Sequence, residues 1–392
     1  MIQFVVTETG SFSIRRYLLE EGAALAGRMR VVTYEELPRI RRLPLGTWVF
    51  TELDQLDATQ LELAKFASDR LRAKSAAVRL MNDPRQVRSR LDLLRAACDV
   101  GANEHLAWPA PDVILGAPSG ARGRPQTISA TSLRYPVFVR YANRHTGSLT
   151  SLLDTPAALD DALASLTAGE ARRHELLVVE FCDTRDAQGV YRKYSAYNVG
   201  GRIMPRALES GRDWMVKHRG RIFERARADE ELSYGATNPH EPWIREMFRL
   251  ARIDYGRIDY GVRDGTPRLW EINTNPTIAR GPNRDRVRPP DEAAYREMIA
   301  PMRALFYERF QQAWTDVDTP ASDDESVELA VPDELARAIE HAERHRRNTE
   351  RVSSLVNVVA RQPWVRPVTR VVKRVLEPLI AAKLRNGDSR LV

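Results

Sequence analysis

The sequence predicts α/β structure in its first third and α+β structure beyond it, and three observations carry that expectation. Short apolar runs alternate with helix-period segments from Gln3 to Leu94, the pattern of a mostly parallel sheet covered by helices. Two later pairs of strand-like runs meet at Gly200-Gly201 and Asp264-Gly265, dipeptides that favour tight hairpins. The chain has 392 residues, 43% hydrophobic and 29% charged. That allows two to four compact units at ~100–200 residues each and excludes wholesale disorder.

Taken in order, Gln3–Thr7 reads as a strand, Ser13–Leu25 as a helix, and Val31–Tyr34 and Trp48–Thr51 as two further strands. Thr59–Arg72 reads as a helix and Ala77–Met81 as a strand. Asn82, Asp83 and Pro84 then predict a helix start, because proline is pre-organised for a first helical turn. Trp108–Gln126 is rich in Pro and Gly and reads as a linker. Pro136–Tyr141 and Leu176–Phe181 read as strands flanking a helix around Ala157–Leu166. Tyr191–Val199 with Arg202–Pro205, and Asp254–Val262 with Arg268–Ile272, are the two hairpins, with a helix over Glu241–Ala251 between them. Asp213–Ser233 reads as a long loop over a substrate. A helix runs to about Phe310, Thr315–Val327 reads as a flexible acidic linker, and Pro332–Arg351 as a charged helix.

Net charge is +7. Arg361–Val392 holds eight basic residues against two acidic ones, so the excess belongs to the tail and the body gives no sign of nucleic-acid binding. No apolar run approaches the ~18 residues of a membrane span, and Met1–Gly10 lacks the basic start of a secretory signal. A cytoplasmic chain is the expectation. Two cysteines, Cys98 and Cys182, are too few for a disulfide framework or a Cys-rich zinc site. His341 and His345 stand four apart on the charged helix without an evident third ligand. No G-x-G-x-x-G follows a strand, which excludes a dinucleotide fold.

Chemistry concentrates between Asp259 and Pro276. On a hairpin, Asp259 lies on the strand paired with that of Glu271, and Glu271 and Asn273 share a face because they stand two apart. Two carboxylates and an amide oxygen make a hard-oxygen site suited to magnesium, with nucleotide phosphates and water completing it. The plainer reading is a solvated polar strand face. The strand Leu177–Asp183 ends in Glu180, Phe181 and Asp183, which can offer backbone to an adenine edge and acids to ribose hydroxyls. Arg140 and the turn Asn143–Ser148, with His145, Gly147 and Ser148, can hold phosphates. Arg192, Lys193, Arg202, Arg206, Lys217 and His218 form a cationic cluster, of which Arg206 and Lys193 are assigned to a pocket and Arg202 to an exposed face.

This order of residues resembles the ATP-grasp superfamily, in its glutathione-synthetase-like and D-alanine–D-alanine-ligase-like branches. The resemblance spans about Met1 to Phe310. It is strongest at Asp259, Glu271, Asn273 and Pro276, at Leu80–Leu94, and at the strand ending in Glu180. It implies a three-lobed fold: an N-terminal α/β domain (1–108), a first ATP-grasp lobe (109–185), and a second lobe with the metal hairpin (186–314). An acidic linker (315–331) and a basic helical tail (332–392) follow. It also implies ATP with magnesium, or manganese in its place. Asp259, Glu271 and Asn273 would hold the metal. Glu180, Phe181 and Asp183 would form the adenine and ribose hinge. Arg90 and Arg140 stand where the family has nucleotide-binding lysines, and Arg206 matches the arginine near the transferred phosphate. The implied reaction activates a small-molecule or peptide carboxylate as an acyl phosphate and couples it to an amine, releasing ADP. A nucleotide-binding module without turnover and a small-molecule kinase are the rival readings. The tail segment Trp364–Leu384 is expected to dock on an anionic membrane, on a partner, or on its own domain.

Overall fold

The first apolar run forms the inner strand of a parallel sheet. In the computed structural model, which describes residues 1–74, 77–114, 128–144, 147–168, 175–217, 220–279, 289–319 and 326–344, the chain opens with β1 (Ile2–Val6), α1 (Phe12–Leu19), β2 (Met29–Thr33), β3 (Arg42–Pro44), β4 (Gly46–Phe50), α2 (Ala58–Arg72) and β5 (Val78–Met81). The sheet order is β2-β1-β4-β5, all parallel, with Phe4 in register with Val31 and Val49. Every residue of β1 is buried, as expected of an unbroken apolar run covered on both faces. This is the mixed α/β architecture that the strand–helix alternation predicts.

The segment after β5 turns at Asn82, which is buried at a left-handed φ of 55°. Its side-chain oxygen accepts from the N–H groups of Asp254 (2.8 Å) and Tyr255 (2.9 Å), and its amide donates to the Tyr255 carbonyl (2.8 Å). One side chain thereby clamps the parallel sheet to the strand that carries Asp259. The expected helix start at Pro84 is corrected. Residues 83–87 make turns on the Asp83 carbonyl, and α3 (Arg90–Asp99) begins where Ser89 caps the Asp92 N–H. A capping hydroxyl outranked the proline signal.

The next elements are β6 (Ala107–Pro109), β7 (Val113–Ile114), β8 (Ile128–Ser129), β9 (Val137–Tyr141), α4 (Pro156–Ala168) and β10 (Leu176–Glu180). The expected linker therefore starts as strand, and its part over 115–127 lies outside the described residues. Sheet β6-β10-β9 is antiparallel, and Leu159 and Leu163 of α4 pack on Val137, Val139, Leu176 and Val178.

The third sheet uses β11 (Tyr191–Val199), β12 (Arg202–Gly211), β13 (Tyr255–Arg263) and β14 (Thr266–Asn273) in the order β12-β11-β13-β14. Both predicted hairpins form. Each turn places two successive residues at positive φ, Gly200 and Gly201 in one, Asp264 and Gly265 in the other, as a two-residue loop of this hand requires. Between the hairpins lie α5 (Arg225–Thr237) and α6 (Glu241–Ala251). Helix α5 shortens the expected loop, which ends before Arg225. Ile244, Met247 and Phe248 of α6 pack behind the sheet on Ile258, Tyr260 and Leu269.

The chain continues through α7 (Pro290–Met298), α8 (Ala300–Val317) and β15 (Ser326–Glu328). From α8, Trp314 packs on Phe4 (ring centroids 6.0 Å) and Tyr255 (5.0 Å), and Phe310 on Tyr197 (5.3 Å). Burying each such ring contributes ~1.5–3 kcal/mol, so α8 fastens the first sheet to the third. The acidic linker is a correction at both ends. The Asp318 side chain is held between the Met1 amino group (2.8 Å) and Arg28 (2.8 Å), and β15 pairs with β3. Residues 320–325 between them lie outside the described residues.

These elements belong to one compact unit, Met1–Leu56 with Ala64–Leu329, and a second unit comprises Asp57–Leu63 with the chain from Ala330. A helix over residues 333–344 agrees with the charged helix expected there, and His341 is exposed on it. His345 and the expected docking segment Trp364–Leu384 lie outside the described residues. Among the described residues, no helix is long and apolar enough to cross a membrane.

Candidate active site

A cleft of about 270 Å³ within the first unit is lined by residues of the β6-β10-β9 sheet and of the β12-β11-β13-β14 sheet. One part of it is apolar, with Phe138, Val179, Phe181, Trp214 and Trp270. The other is charged, with Arg140, Lys193, Lys217, Arg257, Asp259 and Glu271.

The charged part is built by register. Asp259 lies opposite Glu271 and Arg257 opposite Asn273, so the pleat turns all four to one face. Asp259 accepts both hydrogen bonds of the Arg257 fork (2.7 and 2.8 Å). Burial works against the Arg257 charge, but the Asp259 carboxylate outweighs it and raises the pKa. Glu271 accepts from Arg140 (2.7 Å) and Arg90 (3.0 Å). The Arg90 side chain is 4% exposed and also donates to the carbonyls of Tyr141 (3.2 Å), Ala142 (2.6 Å) and Arg144 (3.3 Å). It does not line the cleft. Arg90 therefore ties Glu271 to the end of β9, and burial lowers its pKa. The Asn273 side-chain oxygen accepts from the Asn275 N–H (2.8 Å), and Asn273 stands one pleat outside the lining.

Two bulges adjust this face. In β14 the register skips Trp270, and in β12 it skips Arg206. A bulge re-aims the extra side chain, and here Trp270 joins the wall of the cleft. Arg206 instead lies over the rings of Phe306 (4.7 Å) and Tyr307 (5.3 Å). It lines a smaller pocket that shares Lys193 and Arg257 with the cleft. Lys193 pairs with Glu209 (2.6 Å). Arg202 pairs with Asp316 on the surface, as the exposed-face reading expects.

Two loops contribute to the lining of the cleft, one through Gly147 and Ser148 and one through Trp214 to Lys217. Gly147 sits at φ 91°, a left-handed conformation that favours glycine, and a Cβ there would meet the flexible end of the Lys217 side chain. Ser148 lines the cleft, while His145 and His218 lie outside the described residues. The second loop springs from a Gly211–Arg221 bridge. It delivers Trp214 against Phe138 (5.1 Å) and Phe181 (5.7 Å).

At the apolar part, Glu180 lines the cleft, is buried, and is engaged within the protein. Its carboxylate accepts from the Leu106 N–H (3.1 Å), the Arg134 N–H (3.1 Å) and the Arg134 guanidinium (2.8 and 3.0 Å). The Phe181 N–H donates to the Pro136 carbonyl (3.0 Å). Asp183 does not line the cleft and holds Arg185. Burial alone would raise its pKa, but the Arg185 hydrogen bonds lower it. Cys182 is a free buried thiol whose pKa burial raises, which agrees with a packing role. His105 also lines the cleft, and burial pushes its pKa down to about 4, so it is neutral at pH 7.

The lining missed in the sequence has graded legibility. Arg257 stands one pleat before Asp259, so the period-2 reading extended by two residues finds it. Trp270 neighbours Glu271 and on a regular strand would face away, so only the bulge brings it in. Phe138 and His105 come from separate elements, and no local signal marks them.

The donor set fits a magnesium ion and a nucleotide. Among the described residues no group of three or more His, Cys, Asp or Glu is placed to hold a metal. Asp259 and Glu271 offer two carboxylates, the number magnesium takes when phosphates and water supply the rest. Arg140 Nε is buried without a hydrogen-bond partner, a donor left over at the charged part of the cleft.

No protein-family model matches the chain, and no curated protein matches it in sequence. Among solved structures, it is similar to a D-alanine–D-alanine ligase from Bacillus anthracis complexed with ATP, at 12% identity and a TM-score of 0.39, over 79% of this chain and 98% of that one. It is similar to the ATP-grasp ligase PsnB complexed with a minimal precursor, at 12% identity and a TM-score of 0.44, over 79% and 98%. It is also similar to the D-alanine–D-alanine ligase of Coxiella burnetii, at 10% identity and a TM-score of 0.41, over 81% and 97%. Such TM-scores are too low for superposition to assign residues, and the roles below rest on the side chains.

Proposed function

We propose that the protein is an ATP- and magnesium-dependent ligase that activates a carboxylate and couples it to an amine. The observation that carries this reading is the cleft itself, whose lining brings Phe138, Phe181, Trp214 and Trp270 together with Asp259, Glu271 and cations. In the reaction, a substrate carboxylate oxygen forms a bond to the γ-phosphorus of ATP. The bond to the β–γ bridging oxygen breaks, and its electron pair leaves on ADP. The amine then attacks the acyl carbon, phosphate leaves with the C–O electron pair, and the amine gives up a proton.

The chain's own residues have separable tasks in this scheme. Phe138, Phe181 and Trp214 would hold the adenine ring. Because Glu180 and the Phe181 N–H are engaged within the protein, the backbone from Phe181 O onward is left for its edge. Arg140, Ser148 and Lys217 would hold phosphates. Asp259 and Glu271 would hold magnesium, which neutralises phosphate charge when bound. Arg206 and Lys193 would meet the charge that grows on the transferred group. A nucleotide-binding module without turnover has one observation in its favour, the pairing of both carboxylates with arginines.

The test is ADP release measured over a panel of carboxylates, with hydroxylamine present. Carboxylate-stimulated ADP together with a hydroxamate is the expected result, since hydroxylamine traps acyl phosphates. A phosphate ester without hydroxamate would move the protein to kinases. Nucleotide binding with no carboxylate-stimulated ADP would favour the binding module.

A further inference from the structure

The pocket beside the cleft carries a charge pattern that speaks to the substrate. It measures about 100 Å³ and is lined by Lys193, Arg206, Arg221, Arg257, Arg296 and Arg303, against two acids, Glu209 and Glu231. Several of these cations are already balanced. Arg257 holds Asp259, Arg296 holds Glu292 (2.9 Å), and Glu209 lies between Lys193 (2.6 Å) and Arg221 (3.2 Å). The balance then runs out. Among the described residues no carboxylate lies within ion-pair distance of Arg206 or Arg303, and one carboxylate, Glu209, serves both Lys193 and Arg221. The Arg221 side chain is 8% exposed, and its Nε is buried with no hydrogen-bond partner. Glu231 adds little negative charge. It is buried, accepts from the Tyr295 hydroxyl (2.6 Å), and burial raises its pKa toward the neutral acid.

A monocarboxylate would answer one of these cations and leave the buried Arg221 side chain with only its share of Glu209, which is costly. Shared lining by Lys193 and Arg257 places the pocket at the charged part of the cleft, where a carboxylate must reach the phosphates. We infer that the activated substrate is a small di- or tricarboxylic acid, with one carboxylate presented at Arg206 and Lys193 and a further one held by Arg221 and Arg303. This deepens the ligase reading and rests on it for the role of substrate, while the anion pocket itself is tested by binding alone.

The experiment is calorimetry on the full chain with propionate, glutarate and tricarballylate at constant ionic strength, and with ATP separately. Each added carboxylate is expected to strengthen binding by about tenfold, the scale of a charge-assisted hydrogen bond. Arg303→Gln should weaken tricarballylate by about tenfold with ATP affinity and the unfolding midpoint unchanged. Arg303→Lys should keep most of the binding. Equal affinity for the three acids, or full tricarballylate affinity in Arg303→Gln, overturns the inference. The two readings fail separately. Tight tricarballylate with no ATP binding removes the ligase and leaves the anion pocket. ATP binding with indifferent carboxylates removes the polyanion alone.

Discussion

At Glu180 a buried carboxylate is surrounded by two backbone N–H groups and the Arg134 fork. At Glu271 and Asp259, the carboxylates are held by arginines whose forks suit phosphate as well as they suit carboxylate. The first arrangement fixes structure and leaves aromatic faces and backbone for recognition. Under the proposed function, the pairs of the second would exchange partners when ATP and magnesium enter together. An acid in a cleft is therefore informative only once its partners are named.

Substitutions can break this contrast. Asp259→Asn should lower the turnover number by about a hundredfold or more, the scale of removing one preorganised charge-stabilising group, measured as carboxylate-stimulated ADP release. Wild-type turnover would return Asp259 to a structural pair with Arg257. Glu180→Gln should do the reverse, costing about 2–3 kcal/mol of unfolding stability in denaturant titration with ATP affinity of the folded protein unchanged. Lost ATP affinity at full stability would place Glu180 on the nucleotide after all. Trp214→Ala should weaken ATP by roughly 1–3 kcal/mol, as for other aromatic–base stacks, equally with and without magnesium. A loss confined to magnesium conditions would contradict the division of the cleft.

The smallest effect per unit concerns pH. His105 has its pKa depressed by burial from 6.5 to about 4. Its folded state binds fewer protons than the unfolded chain over that window. Stability from this group is complete above pH 6.5 and falls as pH drops toward 4, by about 1.4 kcal/mol per pH unit. Denaturant midpoints should show that slope, and His105→Gln should flatten it. An unchanged slope in the variant would assign the acid sensitivity elsewhere.

The same contrast explains what the sequence disclosed. Period-2 alternation and the Asp264-Gly265 turn suffice to place Asp259 against Glu271, because pleat and turn are local properties. The parallel sheet follows from strand–helix alternation for the same reason. Partners are not local. Arg90 lies 181 residues before Glu271, and nothing in its local sequence shows that it ties Glu271 to the end of β9. Arg303 and Arg296 reach their pocket from the C-terminal helices, and helix periodicity alone presents them as solvent-facing charges. The Asp318 anchor to Met1 and Arg28 was hidden by the acidic, small-residue composition around it, which reads as a linker. Bulges at Trp270 and Arg206 are single-residue insertions in pairing, visible only once both strands are in place.

ATP binding by calorimetry, with and without magnesium, in the wild-type chain and in Glu271→Gln, bears most directly on the exchange of arginine for metal and phosphate at the hairpin. Magnesium is expected to tighten ATP binding to the wild type by at least about tenfold, equivalent to about 1.4 kcal/mol, and to have no such effect on Glu271→Gln. An ATP affinity indifferent to magnesium in the wild type, or a full magnesium gain in Glu271→Gln, would contradict the assignment of Asp259 and Glu271 to the metal.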